Sequence, residues 1–337
     1  MEMECAISVL VFFTRLARIK SDALLMPELE KKMLLPPTVQ YVTNPAFKYT
    51  HFGNIYNEQS NAKKANSDEY PWIAAMYRSG GDHPEKSWKT EKPYCTAICV
   101  DLRIFITSAR CIVHQNVNLV YIVYRSVVLY PLAFISPQLI SKNEFDDIGF
   151  IVVKQENQDK VNQWKRIVMY FKNNRTDDNF NWFAKSDLKP NAKIYKAVGY
   201  AAEVYRGTFY LYELDVAIDI DLCVKFHTQQ LHKSYQHYDG YHVPCFFCCT
   251  MTEWKNNQTC TSTLTANGGA VIVKHNQLYK LIGVITWGTY MNEITPVGFS
   301  VPNSKNYYDN FKCATGIRDD ANENVQKGYY QSLCDKL

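Results

Sequence analysis

Short apolar runs separated by polar turns make up most of the chain after Tyr70. Val, Ile, Tyr and Phe fill these runs, and no long stretch repeats apolar residues with the helical period. Because β-branched and aromatic residues favour strands, the pattern predicts strands rather than helices. The predicted strands are 72–77, 104–107, 118–124, 148–153, 209–212, 270–273 and 278–286. The last two flank the turn KHNQ at 274–277, which predicts a hairpin.

Many short, irregularly spaced strands favour an antiparallel barrel or sandwich. The amino-terminal part of the chain has a different pattern. Residues 24–37 predict a short helix that ends at prolines, and residues 43–69 are polar and aperiodic, as in a linker or surface arm. Residues 154–190 are also polar and would suit a connection between two β halves.

An apolar run from Cys5 to Phe13 has the length of a signal-peptide core. Its flanks are atypical, because Glu2 and Glu4 precede it and the nearby cations follow it. A secretory signal is therefore one interpretation of this run, and a buried helix or an arbitrary chain start is the other.

The composition excludes several classes of protein. The chain has 337 residues, 47% of them hydrophobic, with 24 Tyr and 17 Phe, so it is not disordered and can bury a substantial core. The net charge of +4, without a block of about five basic residues, gives no reason to expect a nucleic-acid partner. No run of about 18 apolar residues predicts a transmembrane segment. Eleven cysteines indicate an oxidising compartment and an odd thiol.

Five segments carry a family pattern. Cys95–Cys111 is CTAICVDLRIFITSARC, Asp146–Val153 is DDIGFIVV, and Thr265–Gly288 is TANGGAVIVKHNQLYKLIGVITWG. They resemble, in order, the strand pair ending in TAAHC, the DIALL strand, and GDSGGP with the hairpin and VSWG strand of the trypsin-like (chymotrypsin-fold, peptidase S1 family) serine peptidases. Tyr70–Met76 and Lys196–Tyr200 resemble that family's first core strand and its SGWG strand.

The resemblance implies an all-β fold of two packed six-stranded antiparallel β-barrels, with a short C-terminal helix before Cys313. The expected boundaries are 1–55 for an amino-terminal segment, 56–313 for the peptidase-like domain, about 70–160 and about 190–311 for its two barrels, and 314–337 for a carboxy-terminal tail.

Catalysis in that family needs a nucleophilic Ser, a His that takes its proton and an Asp that orients the His. At the matching positions this chain has Asn267, Arg110 and Asp147. A guanidinium cannot act as a general base, and a side-chain amide is not a competent nucleophile in this geometry. The resemblance therefore predicts an inactive homologue of the serine endopeptidases, with no catalytic residues.

The supporting positions differ as well. The family's oxyanion hole uses backbone N–H groups at a Gly and at the Ser, and that Gly is Thr265 here. The Asp that receives the new amino terminus after zymogen cleavage is replaced by Ala266. The cleaved terminus itself, IVGG in the family, has no counterpart upstream of Tyr70, where QSNA occupies 59–62. Both halves of the activation device are thus absent from the sequence.

Some retained residues are expected to have structural tasks. Asp147 is expected to form an ion pair with Arg110, with two separately solvated side chains as the alternative. Gly268 and Gly269 are expected to keep a tight turn beside the position of the nucleophile.

The resemblance also implies a peptide cleft lined by Gln258, Thr286, Trp287 and Gly288. Gln258 falls at the base of the specificity pocket, so a preference for basic side chains is not expected. An extended peptide could pair with the Trp-Gly segment by strand addition, and the alternative is a Trp287 buried in the barrel wall.

The resemblance implies disulfides too. Cys95–Cys111 matches the bridge beside the family's catalytic His, and a further family bridge is lost at both ends, where Tyr195 and Val273 stand. The other expected pairs are Cys223–Cys249 with Cys248 as the adjacent alternative, Cys260 with Cys245 or Cys248, and Cys313–Cys334, which leaves Cys5 or Cys99 as the odd thiol.

Several His and Cys residues have spacings that suggest zinc ligands, and two sequons predict glycosylation. The possible zinc ligands are His232, His237, His242, Cys245 and Cys248. Those histidines do not share a helix face and thiolates rarely persist in an oxidising compartment, so disulfides are favoured and no metal or other cofactor is expected. Asn174 and Asn257 begin Asn-X-Thr sequons and are the predicted glycosylation sites.

Together these features predict a secreted, extracellular pseudoprotease that binds or regulates a protease, an inhibitor or another secreted protein. One alternative is an active serine-type endopeptidase with rearranged residues. In that case Ser262, Thr263 or Thr265 would be the nucleophile and His114 the base. A structural or storage secretion protein is the other alternative. The oligomeric state is not predicted.

Overall fold

Strands make up most of the part of the chain that the computed structural model describes. That part comprises residues 54–55, 62–79, 88–113, 115–136, 147–169, 195–203, 209–218, 245–247, 266–275, 278–288, 297–301, 305–319 and 328–329. Contacts divide the chain into two units, 1–44 and 45–337, and only the second contains described residues.

The strands of the first half are β1 (Asn54–Ile55), β2 (Lys63–Lys64), β3 (Ile73–Arg78), β4 (Cys95–Asp101), β5 (Ile104–Ser108), β6 (Val120–Tyr124), β7 (Val127–Leu129), β8 (Pro131–Ile135), β9 (Ile148–Val153) and β10 (Val168–Met169). Those of the second half are β11 (Tyr195–Glu203), β12 (Phe209–Ile218), β13 (Cys245–Phe247), β14 (Ala270–His275), β15 (Leu278–Gly288), β16 (Val297–Ser300) and β17 (Gly328–Tyr329). One α-helix, α1 (Lys305–Asp319), and three 3-10 turns, Ala109–Cys111, Val117–Leu119 and Gln155–Asn157, complete the described elements.

Six strands of the second half close into a barrel. The order is β11-β14-β15-β16-β13-β12, and β12 pairs back with β11. All six pairings are antiparallel. The short strands β1, β2 and β10 pair with β11, β12 and β15 respectively. Two of these, β1 and β2, come from the segment whose polar sequence predicted only a linker or arm.

The first half forms a second ring. Antiparallel pairing follows the order β8-β9-β5-β4-β3-β6-β7, and β17 adds to β8 in parallel. Because only Tyr130 separates β7 from β8, the chain itself joins the two ends of this path. With β7 and β8 acting as one bent strand, this ring also has six strands. The predicted all-β fold of two six-stranded antiparallel barrels is confirmed.

Each apolar run that predicted a strand overlaps an observed strand. The predicted and observed strands differ only in where they begin and end. The run 118–124 starts with the 3-10 turn Val117–Leu119, because the Asn116 side chain accepts a hydrogen bond from the Asn118 N–H and caps that turn. The run 209–212 is only the beginning of β12, which continues to Ile218. The predicted hairpin is confirmed by the pairing of β14 with β15.

Strand β9 shows why so many runs lack polar residues. Every residue in it is buried. Phe150 and Val152 belong to the apolar cluster that joins both barrels and α1, whereas Ile151 and Val153 belong to the cluster inside the first barrel. A strand buried on both faces has no solvent side, so its sequence reads as a continuous apolar run.

Helix α1 packs on the first barrel through aromatic side chains. The rings of Tyr307 and Phe311 lie 5.2 and 5.8 Å, between centroids, from that of Phe150. The prediction that this helix ends before Cys313 is wrong, because α1 continues to Asp319. Cys313 is buried on the packed face and is disulfide-bonded to a partner that lies outside the described side chains. No helix in the described ranges is both long enough and apolar enough to span a membrane.

The continuation of α1 is fastened by Asp101 at the end of β4. Arg318 Nη1 lies 2.8 Å from Asp101 Oδ2, and Arg166 Nη1 lies 2.7 Å from Oδ1. Burial opposes ionisation of Asp101, but hydrogen bonds from the Leu102 N–H, Arg166 and Arg318 outweigh it and hold the pKa of this carboxyl below its ordinary value. An arginine in the last helical turn also interacts favourably with the helix dipole.

We expect the substitution Asp101→Asn to lower the free energy of unfolding at neutral pH by about 1–2 kcal/mol, because it removes both ion pairs. The folded pKa of Asp101 is depressed. Its contribution is therefore present above the unfolded pKa of about 3.9 and lost as the pH falls through the folded pKa. Urea unfolding of both proteins should show a difference at neutral pH that shrinks in acid.

Asp159→Asn is the matched control, because Asp159 is exposed and has no ion pair or hydrogen bond among the described residues. It should change stability little at either pH. A loss in Asp101→Asn that is the same in acid as at neutral pH would contradict the assignment.

Candidate functional site

The three positions that match the family's triad lie next to the ends of strands. Arg110 is in the 3-10 turn Ala109–Cys111 that follows β5, and Asp147 immediately precedes β9. Ser108 pairs with Ile148 in the β5–β9 ladder, so this register places Asp147 beside Ala109. The Ala109 N–H donates to the Asp147 carbonyl oxygen at 3.2 Å.

A disulfide holds the Arg110 turn. Cys95, at the start of β4, is bonded to Cys111, with a Cα–Cα distance of 6.1 Å, as the resemblance implied. The Tyr94 hydroxyl donates to the Cys111 carbonyl at 3.1 Å. The turn therefore has a covalent and a hydrogen-bonded tie to the strand beside it, which fixes the backbone that carries Arg110.

The expected ion pair is confirmed. Arg110 Nε lies 3.0 Å from Asp147 Oδ2, and the Asp147 side chain is only 4% exposed. The Ser108 hydroxyl donates to Oδ2 at 2.9 Å, and the Arg110 backbone N–H donates to Oδ1 at 3.1 Å. Sequence reasoning missed Ser108, although it lies in the same ITSARC segment as Arg110.

The balance of forces on Asp147 explains these contacts. Burial raises the pKa of the Asp147 carboxyl, and Arg110, Ser108 and the nearby backbone N–H groups act in the opposite direction. An ionised carboxylate removed from water costs several kcal/mol unless opposite charge and donors compensate it. Arg110 therefore stabilises Asp147 as a structural counter-ion, but its guanidinium has no lone pair with which to accept a proton.

Asn267 lies in a tight turn before β14, as expected. Gly268 has a φ of +77°, its N–H donates to the Ile285 carbonyl at 2.8 Å, and the Gly269 N–H donates to the Ala266 carbonyl at 2.8 Å. The turn also reaches the other barrel, because the Thr96 N–H of β4 donates to the Asn267 carbonyl at 2.8 Å.

Two threonines of the first barrel pack against this turn. The Thr107 hydroxyl donates to the Thr96 carbonyl at 2.7 Å, and the Thr96 hydroxyl accepts from the Tyr200 N–H at 2.9 Å. A Cβ atom on Gly268 would lie 2.0 Å from the Thr96 carbonyl oxygen and 2.3 Å from Thr107 Oγ1. The joint therefore requires glycine at 268. No motif in the sequence marked either threonine.

The activation positions are apolar in the structure. Ala266 is fully buried in the core of the second barrel. Ala62, from the QSNA segment, packs against the same cluster. Apolar packing in this cluster thus involves both positions for which the resemblance would have implied an ammonium–carboxylate pair. Thr265, of the expected oxyanion position, lies outside the described residues.

One backbone edge of the predicted cleft segment has no strand partner among the described residues. Trp287 and Gly288 pair with Gly298 and Val297 of β16. On the other side, the pairing with β14 ends at Val284, and no described strand pairs with residues 286–288 there. The Thr286 side chain is buried. Gln258 and the side chain of Trp287 lie outside the described part, so the two interpretations of Trp287 both stand.

The cysteine expectations are partly resolved. Tyr195 and Val273 face each other in the β11–β14 ladder, where the family's lost bridge would join the strands. Cys99 is a free, buried thiol, and burial raises its pKa to about 12, so it is unreactive. The other expected partners lie outside the described side chains: Cys223, Cys245, Cys248, Cys249, Cys260 and Cys334.

The remaining candidates also lie outside the described residues. These are the sequons at Asn174 and Asn257, the possible bases and nucleophiles His114, Ser262 and Thr263, and the zinc candidates His232, His237 and His242. Within the described ranges, no group of three or more His, Cys, Asp or Glu side chains could hold a metal ion.

Comparison with known proteins gives a structural likeness only. No family model matches the chain, and no curated protein matches it. Among solved structures, the secreted serine protease VesC from Vibrio cholerae is similar, with a TM-score of 0.48 and 13% sequence identity. The alignment covers 72% of this chain and 45% of VesC, so the chain spans less than half the length of that protein. A likeness at this level does not assign the chain to a family.

We expect Gly268→Ala to lower the free energy of unfolding by about 2–4 kcal/mol, because the left-handed backbone and the clash with Thr96 both act against it. Gly316→Ala is the control, since Gly316 lies in α1 with nothing within 4 Å of an added Cβ. That substitution should stabilise the protein by about 0.5–1 kcal/mol. Denaturant unfolding measures both, and equal effects would contradict the tight joint.

We expect Arg110→Gln to cost about 3–5 kcal/mol of stability, because it leaves the buried Asp147 carboxylate without its counter-ion. The double variant Arg110→Gln/Asp147→Asn removes the stranded charge and should recover most of that loss. A double-mutant cycle by urea unfolding measures the coupling. If the two substitutions add without coupling, the ion pair is not the source of the stability.

Proposed function

We propose that the chain is a non-catalytic homologue of the trypsin-like serine peptidases that acts as a secreted binding or regulatory module for a protease or another secreted protein. The observation that carries the proposal is the contact between Arg110 and the buried Asp147. In the peptidases a His stands at the position of Arg110. It accepts the proton of the nucleophile, and the Asp holds its ring in the correct orientation. A guanidinium held against the carboxylate can only donate, so proton transfer has no acceptor there.

Two further features support inactivity. Asn267 stands where the nucleophile would be, and its carboxamide has no hydroxyl or thiol to activate. Ala266 is buried in the apolar core of the second barrel, so this position offers no carboxylate to an ammonium that cleavage would create. The chain therefore lacks the acceptor, the nucleophile and the switch at the same time.

Secretion and binding rest on separate features. The Cys95–Cys111 disulfide and the disulfide-bonded Cys313 fit an oxidising compartment, where such bonds persist. The open backbone edge at residues 286–288 could add a strand from a partner, since unpaired N–H and C=O groups on a strand edge are a ready template for pairing. Binding a protein segment without cleaving it is the function that this combination supports best.

A fluorophosphonate probe tests the proposal, because it reacts only with an activated serine-type nucleophile. We expect no labelling of the folded protein under conditions in which an active trypsin-type peptidase is fully labelled. The heat-denatured chain sets the background of non-specific reaction. Labelling of the folded chain above that background, mapped by mass spectrometry to Ser262, Thr263 or Thr265, would support the rearranged endopeptidase instead.

A further inference from the structure

We infer that Arg110 binds a carboxylate group of an extended protein segment that occupies the cleft. The inference rests on the proposed function, because an active peptidase would need this position for proton transfer. It adds a chemical class to the partner: the bound segment presents either an Asp or Glu side chain or its own carboxy terminus to the guanidinium.

The hydrogen bonding of the Arg110 guanidinium supports this assignment. The shortest contact between the Arg110 guanidinium and Asp147 is made by Nε, which lies 3.0 Å from Oδ2. Among the described residues neither Nη1 nor Nη2 of Arg110 has a hydrogen-bond acceptor, although the side chain is only 23% exposed. Arg110 contributes no atom to the buried side-chain nitrogen and oxygen atoms that lack a partner, so its free N–H groups reach solvent. Arginine in a half-covered position normally uses these groups.

Three other arginines use their Nη1 groups within the protein, unlike Arg110. Arg166 and Arg318 both place Nη1 on Asp101. Arg103 is buried and donates through Nε and Nη1 to the carbonyls of Val153 and Arg318. Arg110 thus contacts Asp147 through Nε, while Nη1 and Nη2 have no hydrogen-bond acceptor in the described part of the chain.

The surroundings hold this fork in one orientation. The Asp147 carboxylate behind it is fixed by the Ser108 hydroxyl and by the Arg110 N–H, and the Cys95–Cys111 disulfide fixes the turn. A carboxylate matches the two parallel N–H groups of a guanidinium in a bidentate pair. Because Arg110 is already ordered, little conformational entropy is lost when such a ligand binds.

The open edge identifies the ligand as a protein segment. The edge at residues 286–288 continues from Ile285, whose carbonyl accepts from Gly268 and whose N–H donates to Gly269. Gly268 packs on Thr107, and Arg110 lies three positions farther along the same segment. The Gly268 turn thus contacts both the strand that carries the edge and the β5 segment that leads to Arg110.

Fluorescence polarisation with labelled peptides tests the inference. Three alanine-rich peptides of equal length differ only in charge: one has a central Glu and an amidated end, one has a central Gln and a free carboxy terminus, and one has Gln and an amidated end. We expect at least one of the first two to bind about tenfold more tightly than the neutral peptide, as a charge-assisted bidentate contact implies. Which one does so identifies the source of the carboxylate.

Variants assign the preference to Arg110. Arg110→Gln/Asp147→Asn removes the guanidinium without stranding a buried charge, and it should bind all three peptides alike. Arg110→Lys keeps the charge but loses the fork, and it should show a reduced preference. Arg166→Gln is the matched control, because it removes one positive charge and one Arg–Asp contact elsewhere and should retain the full preference.

The inference is overturned if the unmodified protein binds the acidic and neutral peptides equally or binds none of them, or if the double variant retains the preference. The labelling experiment separates this from failure of the proposed function. A protein that stays unlabelled yet shows no preference for carboxylates loses only the assignment to Arg110.

Discussion

A buried carboxylate is the constraint on which the turn after β5 depends. Asp147 is almost fully removed from water, and its charge must be compensated where it stands. The protein supplies that compensation from one short segment, through the Ser108 hydroxyl, the Arg110 backbone and the Arg110 guanidinium. The pairing of β5 with β9 and the Cys95–Cys111 disulfide bring this segment to the carboxylate.

If the chain is the homologue that we propose, this constraint explains how the family's Asp can be kept while its His is replaced by Arg110. In a peptidase the Asp orients an imidazole that must shuttle a proton. In this chain the Asp147 carboxylate faces the guanidinium of Arg110, a permanent cation that compensates the buried charge and cannot accept a proton. In the proposed function, the ion pair meets the structural need of Asp147 without a catalytic task.

The sequence predicted the architecture because strand segments in the correct order carry most of the information about it. Tyr195 opposite Val273 shows how closely the register was predicted. The short strands β1, β2, β13 and β16 were missed, because two to four residues are too few to show an alternating pattern. Such strands depend on hydrogen bonds to neighbouring strands. The end of α1 was missed for a similar reason, since Asp101, far away in sequence, fastens it.

The site was predicted less completely than the fold. The positions of Arg110, Asp147 and Gly268 followed from the resemblance. Ser108 and Thr96 did not, because a hydroxyl in a strand has no local signature until the partner it bonds is known.

Direct titration of the Asp147 carboxyl carbon by NMR, in the unmodified protein and in Arg110→Gln, tests the central claim most directly. If Arg110 is the counter-ion of the buried carboxylate, the group titrates at a lower pH in the unmodified protein than in the variant, since only burial and neutral donors act on it once the guanidinium is gone. Identical titration curves in the two proteins would contradict the account.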